Sequence, residues 1–200
     1  MDLLLATRNA HKTREIQQIL GPSFAVSDLS AHPQIADIRE TGKSYEENAM
    51  MKAVGASRHL QGLIVADDSG LEVDAIGGAP GIFSARYAGE NATDKENIEK
   101  LLGELVRTVV EETERSARFR CVIALARQGE LLGTFEGIAE GGIVERPRGL
   151  HGFGYDPIFL PSGFEKTFAE LPPEVKNTIS HRAKAIRCLT AELAALGRGY

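Results

Sequence analysis

Leu63-Ile64-Val65-Ala66-Asp67-Asp68-Ser69-Gly70-Leu71 is the stretch whose reading decides the fold. Leu63 to Ala66 is a short apolar run set off by Gly62, as expected of a strand buried on both faces. Asp67-Asp68-Ser69-Gly70 then has good turn composition. Leu71 to Ala75 returns to an extended pattern, with Leu71, Val73 and Ala75 alternating. A buried strand that ends in carboxylates is the arrangement by which α/β sheets present functional groups.

Working outward, helices and strands alternate before this stretch. Asp2 to Ala6 reads as a strand, and Lys12 to Leu20 as a helix with Ile16, Ile19 and Leu20 on one face, stopped by Gly21-Pro22. Ser23 to Leu29 alternates weakly as a second strand. Ser44 to Leu60 is the next helix, with Ser44 and Glu47 as a capping box and Gly62 as its end.

Beyond the decisive stretch lies a glycine loop, Gly77 to Gly81, and then a second capping box, Thr93 with Glu96. The helix behind it places Ile98, Leu101, Leu102, Leu105 and Val109 together. Arg118 to Ala126 and Leu131 to Ile138 suit a hairpin across Gln128-Gly129, with Gly141 to Glu145 and Asp156 to Leu160 as further strands. Pro172-Pro173 opens a helical turn, and Ser180 caps a last helix carrying Ile186, Leu189 and Leu193. The expectation is an α/β fold over residues 1–200 as a single domain, with a mixed sheet flanked by helices.

Composition narrows the function. The net charge of −5 lacks the basic excess of a protein that binds nucleic acid. No apolar run is long enough to span a bilayer, and the N-terminus turns polar almost at once, so no membrane association and no leader are expected. Cys121 and Cys188 are too few and too far apart for a disulfide framework or a zinc ribbon. They read as two buried thiols in a reducing, cytoplasmic setting.

Five segments stand out chemically, each beside an ordinary alternative. Thr7-Arg8-Asn9-Ala10-His11-Lys12 joins a strand to a helix start, where backbone N–H groups and the helix dipole favour a phosphate. The alternative is a plain capped helix with a solvated lysine. Among the acids Glu40, Glu46, Glu47, Asp67 and Asp68, the pair at the strand end offers hard oxygen ligands to Mg2+, with Glu40 as a second source. The alternative there is turn chemistry, and Glu46 and Glu47 have sufficient work in the helix start.

Gly152-Phe153-Gly154-Tyr155-Asp156 sets an aromatic face beside a carboxylate, which suits base stacking and edge reading, or else a tight turn with Phe153 in the core. His181 and Arg182 place positive charge in a first helical turn, against the dipole, so that an anion bound near them and Lys176 would remove the conflict. The alternative is a solvated basic turn. Ala79 to Arg86 reads alone as a glycine loop with a surface arginine, and Lys52 as a surface lysine.

Taken in order, these segments resemble one family, the inosine triphosphate pyrophosphatases, or non-canonical purine nucleoside triphosphate pyrophosphatases. The resemblance runs from Thr7-x-Asn9-x-x-Lys12 through Glu40-Thr41-Gly42, Glu47-Asn48-Ala49 with Lys52, and Ala66-Asp67-Asp68-Ser69-Gly70-Leu71. It continues with Gly77-Gly78-Ala79-Pro80-Gly81, Ser84-Ala85-Arg86-Tyr87, Gly152-Phe153-Gly154-Tyr155-Asp156-Pro157 and Ser180-His181-Arg182. Arg8 stands where the family often has glycine, and Val175 where an acid is common.

The resemblance implies an elongated α/β fold with a nucleotide cleft between two lobes, a homodimer and Mg2+ dependence. It implies Asp68 as catalytic carboxylate and metal ligand, with Glu40 as a further ligand. It gives Thr7, Arg8, Asn9, Ala10, His11, Lys12, Lys52, Ser69, Phe153, Gly154, Tyr155, Asp156, Lys176, His181 and Arg182 to the substrate. The implied substrates are ITP, dITP, XTP and dXTP, cleansed from the nucleotide pool.

Overall fold

The computed structural model describes residues 1–36, 38–108 and 114–196. Its strands form one mixed six-stranded sheet flanked by helices, in the order β2-β1-β3-β4-β5-β6. β1 (Asp2–Leu5) pairs in parallel with β2 (Ala25–Asp28) and with β3 (Leu63–Val73). β4 (Ser116–Arg127) and β5 (Glu130–Ile143) join through Gln128 and Gly129, both at positive φ, as a tight hairpin requires. β6 (Phe159–Pro161) runs antiparallel to β5.

The chain divides into two compact units. The first contains Met1–Asp68, Cys121–Gly137 and His181–Tyr200. Here α1 (Ala10–Leu20) and α5 (His181–Leu196) bury Ile16, Leu20, Ile186, Leu189 and Leu193 against Leu3, Leu5, Val65, Cys121, Ile123 and Leu125. These strand positions alternate, so one sheet face holds this core. Ile64 and Ala66 point the other way, and α2 (Tyr45–Ser57) contributes fully buried Ala49, Ala53 and Ala56.

The second unit contains Ser69–Arg120 and Ile138–Ser180. Its core gathers Leu71, Val73, Ile98, Leu101, Leu105, Phe119, Tyr155, Phe159 and Phe168. Phe119 and Phe159 meet edge to face at 4.7 Å, a contact worth about 0.5–1.5 kcal/mol beyond the area it buries. α3 (Asp94–Arg107) begins with the expected reciprocal box between Thr93 and Glu96. Val109 lies outside the described residues.

Several expected boundaries move. β3 is one unbroken strand, so Asp67-Asp68-Ser69-Gly70 is strand rather than turn. Gly141 to Glu145 is no separate element, because Gly141 to Ile143 simply ends β5. Asp156 precedes β6 and lies in a turn. Ser44 caps Glu47 N–H, yet Glu47 Oε2 accepts Lys43 N–H at 2.6 Å, so that box is displaced by one residue. Cys121 is buried as expected, but Cys188 is exposed, because it falls on the outer side of α5. No helix among the described residues is long and apolar enough to cross a membrane.

Candidate active site

The interior of β3 holds two adjacent acids, Asp67 at 4% and Asp68 at 7% exposure. Successive strand residues face opposite ways, so the two meet different partners. Asp67 faces the α1 and α5 side. It accepts Lys12 Nζ, Cys121 Sγ at 3.0 Å, and Arg182 Nε at 3.0 Å. Arg182, 1% exposed, also donates to Glu15 Oε2 at 3.0 Å. Burial alone would raise the Asp67 pKa, but Arg182 and Lys12 hold it well below the ordinary carboxylate value. Burial and the Asp67 carboxylate push the Cys121 thiol well above its ordinary value.

Asp68 faces α2. Lys52 Nζ donates to Asp68 Oδ1 at 3.0 Å, to Glu40 Oε1 at 2.7 Å and to the Asp67 carbonyl at 2.8 Å. Asn48 Nδ2 donates to Asp68 Oδ2 at 3.3 Å. Burial raises the Asp68 pKa, Lys52 and Lys12 oppose it, and Glu40 adds to it; the outcome lies above the ordinary value. Burial disfavours the Lys52 charge, yet Asp68 and Glu40 outweigh it and raise that pKa as well. Lys52 is therefore no surface lysine: it is the cation that two carboxylates share.

A shared ammonium marks a place suited to positive charge. Two carboxylates are a fitting donor set for Mg2+, which keeps waters and takes substrate phosphates for the rest of its shell. Among the described residues no group of three or more His, Cys, Asp or Glu side chains gathers that could hold a metal ion.

The turn before α1 is firmly built. Asn9 Oδ1 accepts His11 N–H at 2.9 Å and Lys12 N–H at 3.2 Å, while Thr7 Oγ1 accepts Asn9 N–H at 3.1 Å. Asn9 thus occupies two N–H groups that the sequence offered to a phosphate. Arg8, Asn9, Ala10 and His11 are exposed, and Thr7 is half-buried. The Arg8 guanidinium donates to the carbonyls of Leu29 and, at 2.6 Å, of Ile35, so this side chain straps the turn to the next loop. Lys12 is bound to Asp67 rather than solvated. Ser69 is half-buried in β3.

His181 and Arg182 open α5, both buried, so the alternative of a solvated basic turn is absent. The anions that offset Arg182 are the protein's own Asp67 and Glu15.

The second unit holds the remaining candidates. Asp156, 2% exposed, accepts Phe153 N–H at 2.9 Å and Lys176 Nζ at 2.6 Å through Oδ2. Phe153 is half-buried, and Lys176 Nζ lies 5.3 Å from its ring centre. Tyr155 is buried, with its hydroxyl donating to the Ser84 carbonyl at 2.9 Å, and Gly154 N–H donates to Asp94 Oδ2 at 2.6 Å. Gly152 adopts φ +77°, and a Cβ there would lie 1.9 Å from Asp156 Oδ2.

Sequence reasoning gave no site role to Glu15, Asn48 or Cys121, although Asn48 stands in one of the quoted motifs. Two of them had a helical signal: Glu15 lies three residues after Lys12, and Asn48 four before Lys52, so each shares a face with a candidate cation. Cys121 had none, because its contact with Asp67 spans distant strands.

Fold and site define an α/β protein with a buried acid and lysine centre on a central strand. The Ham1 family model matches residues 3–192. The chain is 47% identical over 195 residues to a dITP/XTP pyrophosphatase of Bacillus subtilis, covering 97% of this chain and 98% of that one. It is 49% identical over 193 residues to a dITP/XTP pyrophosphatase of Geobacter sulfurreducens, covering 96% of each. The solved HAM1 protein of Coxiella burnetii superimposes with a TM-score of 0.86 at 41% identity, covering 98% of this chain and 99% of that one. The Staphylococcus aureus Ham1 protein gives 0.84 at 42% identity, with the same coverage. This chain belongs to the Ham1 family.

Proposed function

We propose that the chain hydrolyses non-canonical purine nucleoside triphosphates, ITP and dITP or XTP and dXTP, to the monophosphate and pyrophosphate. The observation that carries this reading is the convergence of Asp68 and Glu40 on the Lys52 ammonium, with Lys12 beside it on Asp67. The names of the curated relatives agree with it.

A triphosphate carries about four negative charges, so its reaction needs that field screened. Lys12 and Lys52 supply fixed positive charge. Mg2+ held by Asp68 and Glu40 would add charge neutralisation and a more acidic water. Asp68 accepts the proton of the attacking water as its general base. The water oxygen bonds to the α-phosphorus, the bond from that phosphorus to the bridging oxygen breaks, and pyrophosphate leaves. Asp156 offers an acceptor for a purine ring N–H, and Phe153 a face for stacking. His181, at a helix start, offers a donor for a 6-oxo group. Adenine, with a bare N1 and a 6-amino group, would leave such buried partners unmatched. A homodimer and a cytoplasmic setting belong to the same reading.

The test is turnover of a panel of triphosphates with Mg2+, resolving all products, in wild type and Asp68→Asn. Monophosphate and pyrophosphate formed fastest from ITP or XTP, and lost in a folded Asp68→Asn, are expected. Diphosphate and phosphate as products would refute the attack position. A folded Asp68→Asn with substantial activity would refute the role of Asp68.

A further inference from the structure

Asp68 and Glu40 reach Lys52 from different parts of the chain, β3 and the loop before α2. One further side chain connects them. Asn48 is fully buried on α2, one turn before Lys52 and on the same helix face. Its Nδ2 donates to Asp68 Oδ2 at 3.3 Å, and its Oδ1 accepts Gly42 N–H at 2.9 Å. Chemistry fixes this amide orientation. A carboxylate only accepts and a backbone N–H only donates, so a reversed amide would lose both bonds.

Gly42 lies two residues after Glu40. Its approach depends on the missing side chain, because a Cβ there would come within 2.7 Å of both Asn48 Oδ1 and Glu47 Cβ. Glu47 Oε2 takes the next N–H, that of Lys43, at 2.6 Å. The loop that carries Glu40 is therefore fastened to the start of α2 at two successive residues, and one of those fastenings continues to Asp68.

We propose that Asn48 is a positioning residue that ties the Glu40 loop to Asp68, so that two carboxylates distant in sequence form one divalent-cation site. The inference rests on the metal reading above and extends it to a residue that touches neither cation nor phosphate. Hydrogen-bonded supporters of ligating groups change metal affinity by roughly 10- to 100-fold.

Mn2+ binding to the full chain, followed by the loss of the free-ion paramagnetic resonance signal, tests it. Wild type, Asn48→Ala and Gly42→Ala are compared, each with its own thermal unfolding curve. Gly42→Ala disturbs the same link from the loop and empties no buried space, so it decides the matter if Asn48→Ala does not fold. Expected is an Mn2+ affinity about 10- to 100-fold weaker in each folded variant. The Mg2+ concentration for half-maximal turnover should rise in parallel, while the rate at saturating Mg2+ changes less. A role in folding alone would lower the unfolding temperature and leave the affinity of the folded protein unchanged. Folded variants with wild-type Mn2+ affinity overturn the inference and leave the proposed activity standing. A wild-type chain that binds no Mn2+ and turns over ITP without divalent cations overturns the metal reading and the inference together.

Discussion

Replacing Arg182 by methionine should destabilise this protein more than an average core substitution. Arg182 is 1% exposed and reaches two carboxylates with three nitrogens: Nε at 3.0 Å and Nη2 at 3.5 Å from Asp67, and Nη1 at 3.0 Å from Glu15. Asp67 and Glu15 are themselves 4% and 7% exposed. Burial disfavours the guanidinium charge, but Asp67 and Glu15 overcome it and hold its pKa above the ordinary value. Methionine fills comparable space but strands two buried carboxylates. Breaking a buried ion set by removing one partner costs about 3–5 kcal/mol. At about 2–4 °C per kcal/mol for a chain of this size, the midpoint should fall by about 6–20 °C. Arg182→Lys should recover only part of this, because one ammonium cannot serve both carboxylates in the same geometry. Neutralising the stranded groups in Arg182→Met/Asp67→Asn/Glu15→Gln should restore much of the loss, since uncharged replacements of buried ion sets are often tolerated. Calorimetric melts of the four proteins decide it. A loss under about 2 °C in Arg182→Met, well below the range just worked out, would show that Lys12 and Cys121 satisfy Asp67 unaided and that the argument from stranded charge fails.

The Asp28 carboxylate accepts Thr13 Oγ1 at 2.7 Å and Ser30 N–H at 2.8 Å. Burial would raise its pKa, but these hydrogen bonds and Arg8 outweigh it and set it below 3.8. A depressed folded-state pKa gives stability that is complete above the unfolded value and is lost as pH falls through the folded one. Thr13→Val should therefore cost less than about 1 kcal/mol at pH 7, with a deficit that shrinks below pH 4 in denaturant melts; a deficit that grows on acidification would contradict the sign. Thr93→Ala removes the side-chain half of the α3 capping box, while the backbone N–H at 93 can still donate to Glu96, and it should lower the melting midpoint by about 2–4 °C, the equivalent of about 1 kcal/mol. Gly152→Ala drives a Cβ into Asp156, so the KM for ITP should rise by about 10- to 100-fold, matching the loss of one hydrogen bond to a charged group. An unchanged KM would remove Asp156 from the substrate reading.

Local chemistry was legible in the sequence where it stayed local. The Thr93 and Glu96 box, the Gln128-Gly129 turn and the Gly21 stop of α1 need only their neighbours, and all three appear in the structure. Asp67-Asp68-Ser69-Gly70 misled for the same reason: four residues with turn preferences were weighed without the partners that override them. Those partners come from α1, α2, β4 and α5, far away in the chain. Cys188 misled in another way, because helical position rather than residue type decides exposure.

The two acids of β3 show what a local reading misses and what a sheet adds. Adjacent in sequence, they look interchangeable as ligands. In a strand they point to opposite faces. Asp67 meets a full arginine, a lysine and a thiol, and its pKa is pressed well below the ordinary value. Such a carboxylate stays ionised and bound, so it organises Lys12 and Arg182 but cannot take a proton. Asp68 meets one lysine, an amide and the like charge of Glu40, and its pKa rises. Two titratable neighbours whose environments push their pKa values apart match the division into a fixed charge and a base that the proposed function calls for. The division follows from strand parity alone: a register shift of one residue would exchange the two faces and with them the roles. The apolar alternation of Leu63 and Val65 against Ile64 and Ala66, by seating the strand between α1 and α5 on one side and α2 on the other, therefore also selects which aspartate meets Lys52 and which meets Arg182.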